Sequence, residues 1–122
     1  MKKILIVDDD PRNIFALKLT LKARRYSIET CTTGQEAIDI LKNDGDISVV
    51  LMDMMMPDMD GYQAMKIIRD TLSIKDKTII AVTAQAMTED REKCLQAGAD
   101  DYITKPINVD QLLVAIEKLH RC

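Results

Sequence analysis

Aromatic side chains are scarce in this sequence: tryptophan is absent, and phenylalanine and tyrosine together make up 3% of the residues. A core must therefore be built from Ile, Leu, Val, Ala and Met. Long hydrophobic runs are also missing, and no window approaches the roughly 20 apolar residues that span a bilayer. The start Met1-Lys2-Lys3 has the charge of a signal-peptide n-region, but the run Ile4-Leu5-Ile6-Val7 halts at Asp8, too soon for an h-region. No basic block exceeds the pairs Lys2-Lys3 and Arg24-Arg25, and the net charge is −3, so there is no direct nucleic-acid footprint. Cys31, Cys94 and Cys122 are odd in number and form no CxxC, which argues against a zinc or redox motif. They read as reduced thiols of a cytoplasmic protein without a membrane role.

What is present suits one domain over residues 1–122. Hydrophobic residues make up 47% and charged residues 30%, enough apolar material for a core without a disulfide or metal staple. Five short apolar runs alternate with five longer amphipathic ones. The strand candidates are Lys3–Val7, Ser27–Cys31, Ile47–Met52, Thr78–Val82 and Tyr102–Thr104. Three of them, Ile4–Val7, Val49–Met52 and Ile79–Val82, are apolar throughout rather than alternating, as in a parallel sheet covered on both faces. The helix candidates are Arg12–Arg24, Gly34–Asn43, Gly61–Leu72, Thr88–Ala97 and Val109–His120. Asp10-Pro11 opens the first, Thr33-Gly34-Gln35-Glu36 and Asn108-Val109-Asp110-Gln111 read as capping boxes, and Asp60 caps the third. Gly98 follows the fourth as a C-terminal stop. Ile14, Leu17, Leu21 and Leu112, Ile116, Leu119 form helical stripes that face a core. Strict βα alternation predicts a doubly wound α/β sheet with right-handed crossovers. The last helix reaches the end of the chain, so no second domain is expected to follow it.

In such sheets functional residues gather at the carboxyl ends of the strands. Strand one runs into Asp8-Asp9-Asp10, strand three into Asp53, strand four into Thr83-Ala84 and strand five into Lys105-Pro106. Two carboxylates about 4 Å apart repel by roughly 4 kcal/mol at an effective dielectric of 20, so a cation must join them if all are to ionise. An all-oxygen donor set with open positions suits Mg²⁺. Asp10 reads as a helix cap rather than a ligand. Lys105 either neutralises the acids or, with the Thr83 hydroxyl, completes a receptacle for a phosphoryl group in which Asp53 is the nucleophile. The methionine-rich stretch Met52-Asp53-Met54-Met55-Met56-Pro57-Asp58-Met59-Asp60-Gly61 reads as packing around that acid, with Met52 and Met56 inward and Asp58 a solvated loop acid.

The segments Val7-Asp8-Asp9-Asp10-Pro11, Met52-Asp53-Met54-Met55-Met56-Pro57, Gly61, Val82-Thr83-Ala84 and Ala97-Gly98-Ala99…Lys105-Pro106 resemble the response-regulator receiver domain of two-component signalling, over nearly the whole chain. The resemblance implies a (βα)5 flavodoxin-like sandwich with a five-stranded parallel sheet of order 2-1-3-4-5. It implies that Asp53 is the phosphoacceptor, charged by a histidine kinase or a histidine phosphotransfer protein. Asp8, Asp9, Asp53 and the Met55 backbone carbonyl match the ligands of Mg²⁺ or Mn²⁺. Thr83 matches the hydroxyl that moves to the phosphoryl group, Lys105 its lysine partner, and Tyr102 the switch aromatic. The Lys105-Pro106 peptide is expected to be cis. Met55 and Gln85 match the positions that tune dephosphorylation, and a thioether at Met55 predicts slow to moderate phosphoryl loss. The output surface would run over the fourth helix, fifth strand and fifth helix, Met87 to Leu119, on a monomer or weak dimer.

Three rival functions meet obstacles. A phosphatase of the haloacid dehalogenase type needs a second aspartate where this chain has Met55. A flavin or nucleotide binder needs a phosphate-cradling loop, where this chain places Asp8-Asp9-Asp10 and no glycine-rich loop. A copper carrier needs convergent thioethers, which a strand running into a turn does not require. Within the family, both a stand-alone regulator and a hybrid-kinase receiver remain open. The stretches Arg12-Asn13-Ile14-Phe15-Ala16-Leu17 and Ala86-Met87-Thr88-Glu89-Asp90-Arg91 are similar to the hybrid type.

Overall fold

The computed structural model describes residues 3–57, 59–84 and 88–119. Asp58, Gln85, Ala86, Met87 and His120, and the side chains of Thr88 and Leu119, lie outside the described residues. The chain alternates β1 (Lys3–Val7), α1 (Pro11–Ala23), β2 (Ser27–Cys31), α2 (Gly34–Asn43), β3 (Ile47–Asp53), α3 (Gly61–Asp70), β4 (Thr78–Thr83), α4 (Thr88–Gln96), β5 (Asp101–Thr104) and α5 (Val109–Leu119). The strands form one parallel sheet in the order β2-β1-β3-β4-β5.

The apolar runs are buried on both faces, and alternate residues supply the two cores. Leu5, Val7, Val50, Met52, Ile79 and Ala81 pack with Ala37, Ile38 and Leu41 of α2, Ala64, Met65 and Ile68 of α3, and Cys94 of α4. Ile4, Ile6, Val49, Leu51, Ile80 and Val82 pack with Leu17 and Leu21 of α1 and Leu112, Ala115 and Ile116 of α5. Burying one such side chain is worth about 1.5–3 kcal/mol, so the three central strands anchor the fold. The edge strands β2 and β5 are only partly covered.

Capping residues set the helix starts. Asp10 accepts from the Arg12 N–H, and Pro11 stands where no intrahelical donor is needed. Thr33 accepts from the Glu36 N–H, but Glu36 returns its bond to Thr32 rather than closing the box on Thr33 N. Asp60 and Gln63 do close a reciprocal box. Asn108 accepts from the Gln111 N–H. Several ends differ from the sequence expectation by one or two residues. Strands β3 and β4 each run one residue further, through Asp53 and Thr83, because the Met54 N–H still donates to the Val82 carbonyl and the Lys105 N–H to the Thr83 carbonyl. Helix α1 ends at Ala23 because Arg25 takes a positive φ of 70°, and α3 ends at Asp70 because Thr71 is extended.

Candidate functional site

The strand register assembles the site. Val7 pairs with Met52, so Asp8 emerges beside Asp53 at the point where strand order reverses. Asp53 pairs with Val82, and Thr83 pairs with Thr104, so Thr83 and Lys105 follow one step along on the neighbouring strands. Carboxylate oxygens of Asp8, Asp9 and Asp53 all lie within 4.8 Å of one another. Lys105 Nζ lies 3.4 Å from Asp53 Oδ2 and 3.6 Å from Asp8 Oδ2. Asp8, Asp53 and Thr83 are buried and Asp9 is exposed. Asp8 accepts from the Asp10 N–H at 2.9 Å and from Asn13 Nδ2 at 3.4 Å.

Charge in this space is unbalanced. Burial pushes the Asp53 carboxyl above its ordinary range, and the Asp8 charge adds to that effect. The Met55 N–H, donating to Asp53 Oδ1 at 3.0 Å, and the Lys105 ammonium pull the other way without reversing it. Asp8 and Asp53 thus share one ammonium, and the Asp9 carboxylate adds a third negative charge beside them. An all-oxygen donor set with an excess of negative charge fits a hard divalent cation.

The loop after Asp53 is held close by Gly61. A Cβ there would lie 2.7 Å from Met54 Cα and 2.8 Å from the Asp53 carbonyl oxygen, so only glycine lets α3 begin this near the strand end. Met52, Met54 and Met56 are buried, as packing requires, whereas the Met55 side chain is exposed. The Lys105-Pro106 peptide is cis. Tyr102 is half-buried against the α4 side of the core, where burial raises its hydroxyl pKa and the charge of Asp90 and the Cys94 thiol add to the rise. Gln85, the second tuning position, lies outside the described residues.

A response-regulator receiver model matches residues 4–117. The chain belongs to the response-regulator receiver family. It is 37% identical over 109 residues to the signal transduction histidine-protein kinase BarA of Shigella flexneri, a match covering 89% of this chain and 12% of the kinase. The receiver therefore spans a small part of that relative's length. Among solved structures it is similar to the receiver of the Saccharomyces cerevisiae response regulator Ssk1, crystallised with the histidine phosphotransfer protein Ypd1. That match has a TM-score of 0.88 and 31% identity, and covers 96% of this chain and 87% of that one. It is also similar to the receiver of a Pseudomonas aeruginosa sensor histidine kinase, solved with a magnesium ion in its active-site cleft. Here the TM-score is 0.87 with 33% identity, over 96% and 95% of the two chains.

Two contributions lie outside the strand-end residues that the sequence singles out. Asn13 sits one turn into α1 and reaches back to Asp8; its place three residues after the Asp10 cap was a usable signal. Arg69 reaches the carbonyls of Gly98, Lys75 and Lys77 and the Asp100 carboxylate, tying α3 to the segment before β4 and to the turn between α4 and β5. Nothing in the spacing marked it. Among the described residues no helix is long and apolar enough to cross a membrane.

Proposed function

We propose that this receiver is a phosphoacceptor in two-component signalling, with Asp53 taking a phosphoryl group from a phosphohistidine on a histidine kinase or histidine phosphotransfer protein. The observation that carries this reading is the convergence on Asp53 of two further carboxylates and one ammonium at the carboxyl end of the sheet. The Ssk1 receiver's crystallisation with a phosphotransfer protein supports the class of donor.

An Asp53 oxygen attacks phosphorus in line with the leaving group. The donor's P–N bond breaks, and its electron pair passes to the imidazole nitrogen, leaving an acyl phosphate on Asp53. Lys105 holds one phosphoryl oxygen and Thr83 donates to another. Asp8, Asp9, Asp53 and the Met55 carbonyl would hold Mg²⁺ or Mn²⁺, which supplies positive charge against the phosphoryl oxygens when bound. Asn13 orients Asp8. Movement of Thr83 toward the phosphoryl group lets Tyr102 turn inward, changing the face formed by α4, β5 and α5 for a downstream protein or relay partner. The chain's own catalysis is confined to gain and loss of this phosphoryl group. The protein acts as a single cytoplasmic receiver, monomeric or weakly dimeric, alone or as part of a hybrid kinase.

Incubating the chain with Mg²⁺ and a small acyl-phosphate donor, followed by a phosphate-affinity gel, tests this. Wild type shifts and Asp53→Asn does not. A shift that persists in Asp53→Asn assigns the phosphate to another residue.

A further inference from the structure

Six methionines fall within the described residues, and burial separates one from the rest. Met52, Met54, Met56 and Met65 are buried. Met59 is half-buried, its side chain packed over Gly34 and Ala64. Met55 is 58% exposed. Its backbone N–H holds Asp53 Oδ1, and the residue borders a cleft also lined by Met54, Met56, Asp60, Tyr62 and Lys93. The Lys93 ammonium sits 4.7 Å from the Tyr62 ring centroid, so the cleft already carries a fixed cation. The one well-exposed methionine among the described residues is thus also the one whose N–H holds the phosphoacceptor.

We propose that Met55 is an oxidation site through which hydroperoxides shorten the lifetime of the Asp53 acyl phosphate. The sulfur lone pair attacks one peroxide oxygen, an S–O bond forms and the O–O bond breaks. The departing oxygen leaves with the bonding pair and takes up the proton given off by the oxygen now on sulfur, so it is released as water or an alcohol. Sulfur loses two electrons and the peroxide gains two, so no further reductant or oxidant is required. The consequence is a change of hydrogen-bonding character. A thioether is a weak acceptor and leaves an attacking water unassisted, whereas a sulfoxide oxygen is a strong one. It would hold water at the exposed residue whose N–H binds Asp53 Oδ1, where Met55 now presents only an apolar surface. This lifetime effect rests on Asp53 being the phosphoacceptor; the selectivity of oxidation does not.

The test treats the full chain with graded hydrogen peroxide and maps each methionine by tandem mass spectrometry. Met55 sulfoxide is expected before oxidation of Met52, Met54, Met56, Met59 or Met65. Phosphoryl loss is then timed in reduced and oxidised protein. Oxidised wild type is expected to lose phosphate several-fold faster, Met55→Leu to be unaffected by peroxide, and Met55→Gln to match oxidised wild type without it. Met55 oxidising no faster than the buried methionines overturns the site. Equal lifetimes in reduced and oxidised wild type, or equal acceleration in Met55→Leu, overturn the effect. If neither form takes up phosphate at all, the Asp53 reading fails and the lifetime effect with it, while the order of oxidation is still read in unphosphorylated protein.

Discussion

Lys105 Nζ lies 3.4 Å from Asp53 Oδ2 and 3.6 Å from Asp8 Oδ2, so one ammonium bridges the ends of two different strands. Removing that charge while keeping the chain length, as in Lys105→Met, leaves the two buried carboxylates facing each other and deprives an incoming phosphoryl group of its partner. A hydrogen bond to a charged group is worth about 1.5–3 kcal/mol, which sets the expected loss of phosphorylation rate at roughly ten- to a hundredfold. Initial rates with a small phosphodonor measure it. A rate within twofold of wild type would show that the lysine neutralises the acids without contributing to transfer.

Metal binding should stabilise the fold, because the cation relieves repulsion among Asp8, Asp9 and Asp53. At ten times the dissociation constant the gain is about 1.4 kcal/mol, and a domain of this size responds with a rise of a few degrees in Tm. Thermal melts with Mg²⁺ and with a chelator should differ by that amount. Asp9→Asn and Asp53→Asn should each shrink the difference.

Gly61→Ala should destabilise the receiver although the added group is a single methyl. Its Cβ would meet the Met54 and Asp53 backbone at under 3 Å, and backbone cannot swing aside as a side chain would. Overpacking of this kind costs about 1–3 kcal/mol. Urea denaturation measures it. An unchanged midpoint would mean that α3 can retreat from the strand end at no cost.

Alkaline pH should weaken the fold. Burial, with the Glu36 charge behind it, raises the Cys31 thiol to about 12. Burial, helped by the hydrogen bond to Glu117, raises the Tyr26 hydroxyl to about 12. Tyr62 and Tyr102 are raised as well, chiefly by burial. The folded chain therefore holds protons that the unfolded chain gives up earlier. This contribution is intact below the unfolded values of about 8.5 for Cys and 10 for Tyr, and fades as pH climbs toward 12. The urea midpoint should fall between pH 8 and pH 10.5. Tyr26→Phe should flatten only the end of that slope, above about pH 10, and a midpoint that rises would contradict the sign.

Arg69→Lys should loosen the junction between α3, the start of β4 and the turn after α4. The guanidinium reaches three carbonyls and the Asp100 carboxylate at once, which an ammonium cannot match. The carbonyls left without partners cost about 1–3 kcal/mol each where they are buried. Hydrogen exchange should rise first at Ile79, whose N–H is held by the same Asp100 carboxylate.

The sequence alone determined the alternation of elements, because continuously apolar strands and capped amphipathic helices are written in local spacing. Asp10, Thr33, Asp60 and Asn108 each announce a helix start within four residues. It also named the acids, the hydroxyl and the lysine as strand-end residues, since an apolar run that stops at a polar side chain is visible without coordinates. What only the tertiary structure decided was which of those ends meet and how. The 3.4 Å approach of Lys105 to Asp53 joins residues 52 apart and depends on the β3-β4-β5 register. The four-way grip of Arg69 and the return of Asn13 to Asp8 are likewise long-range or cross-element contacts. The exposure of Met55 amid buried methionines also belongs here, because MDMMM does not say which thioether faces water. That is settled by where the strand ends, how closely Gly61 brings α3 to it, and which side of the loop the core leaves uncovered.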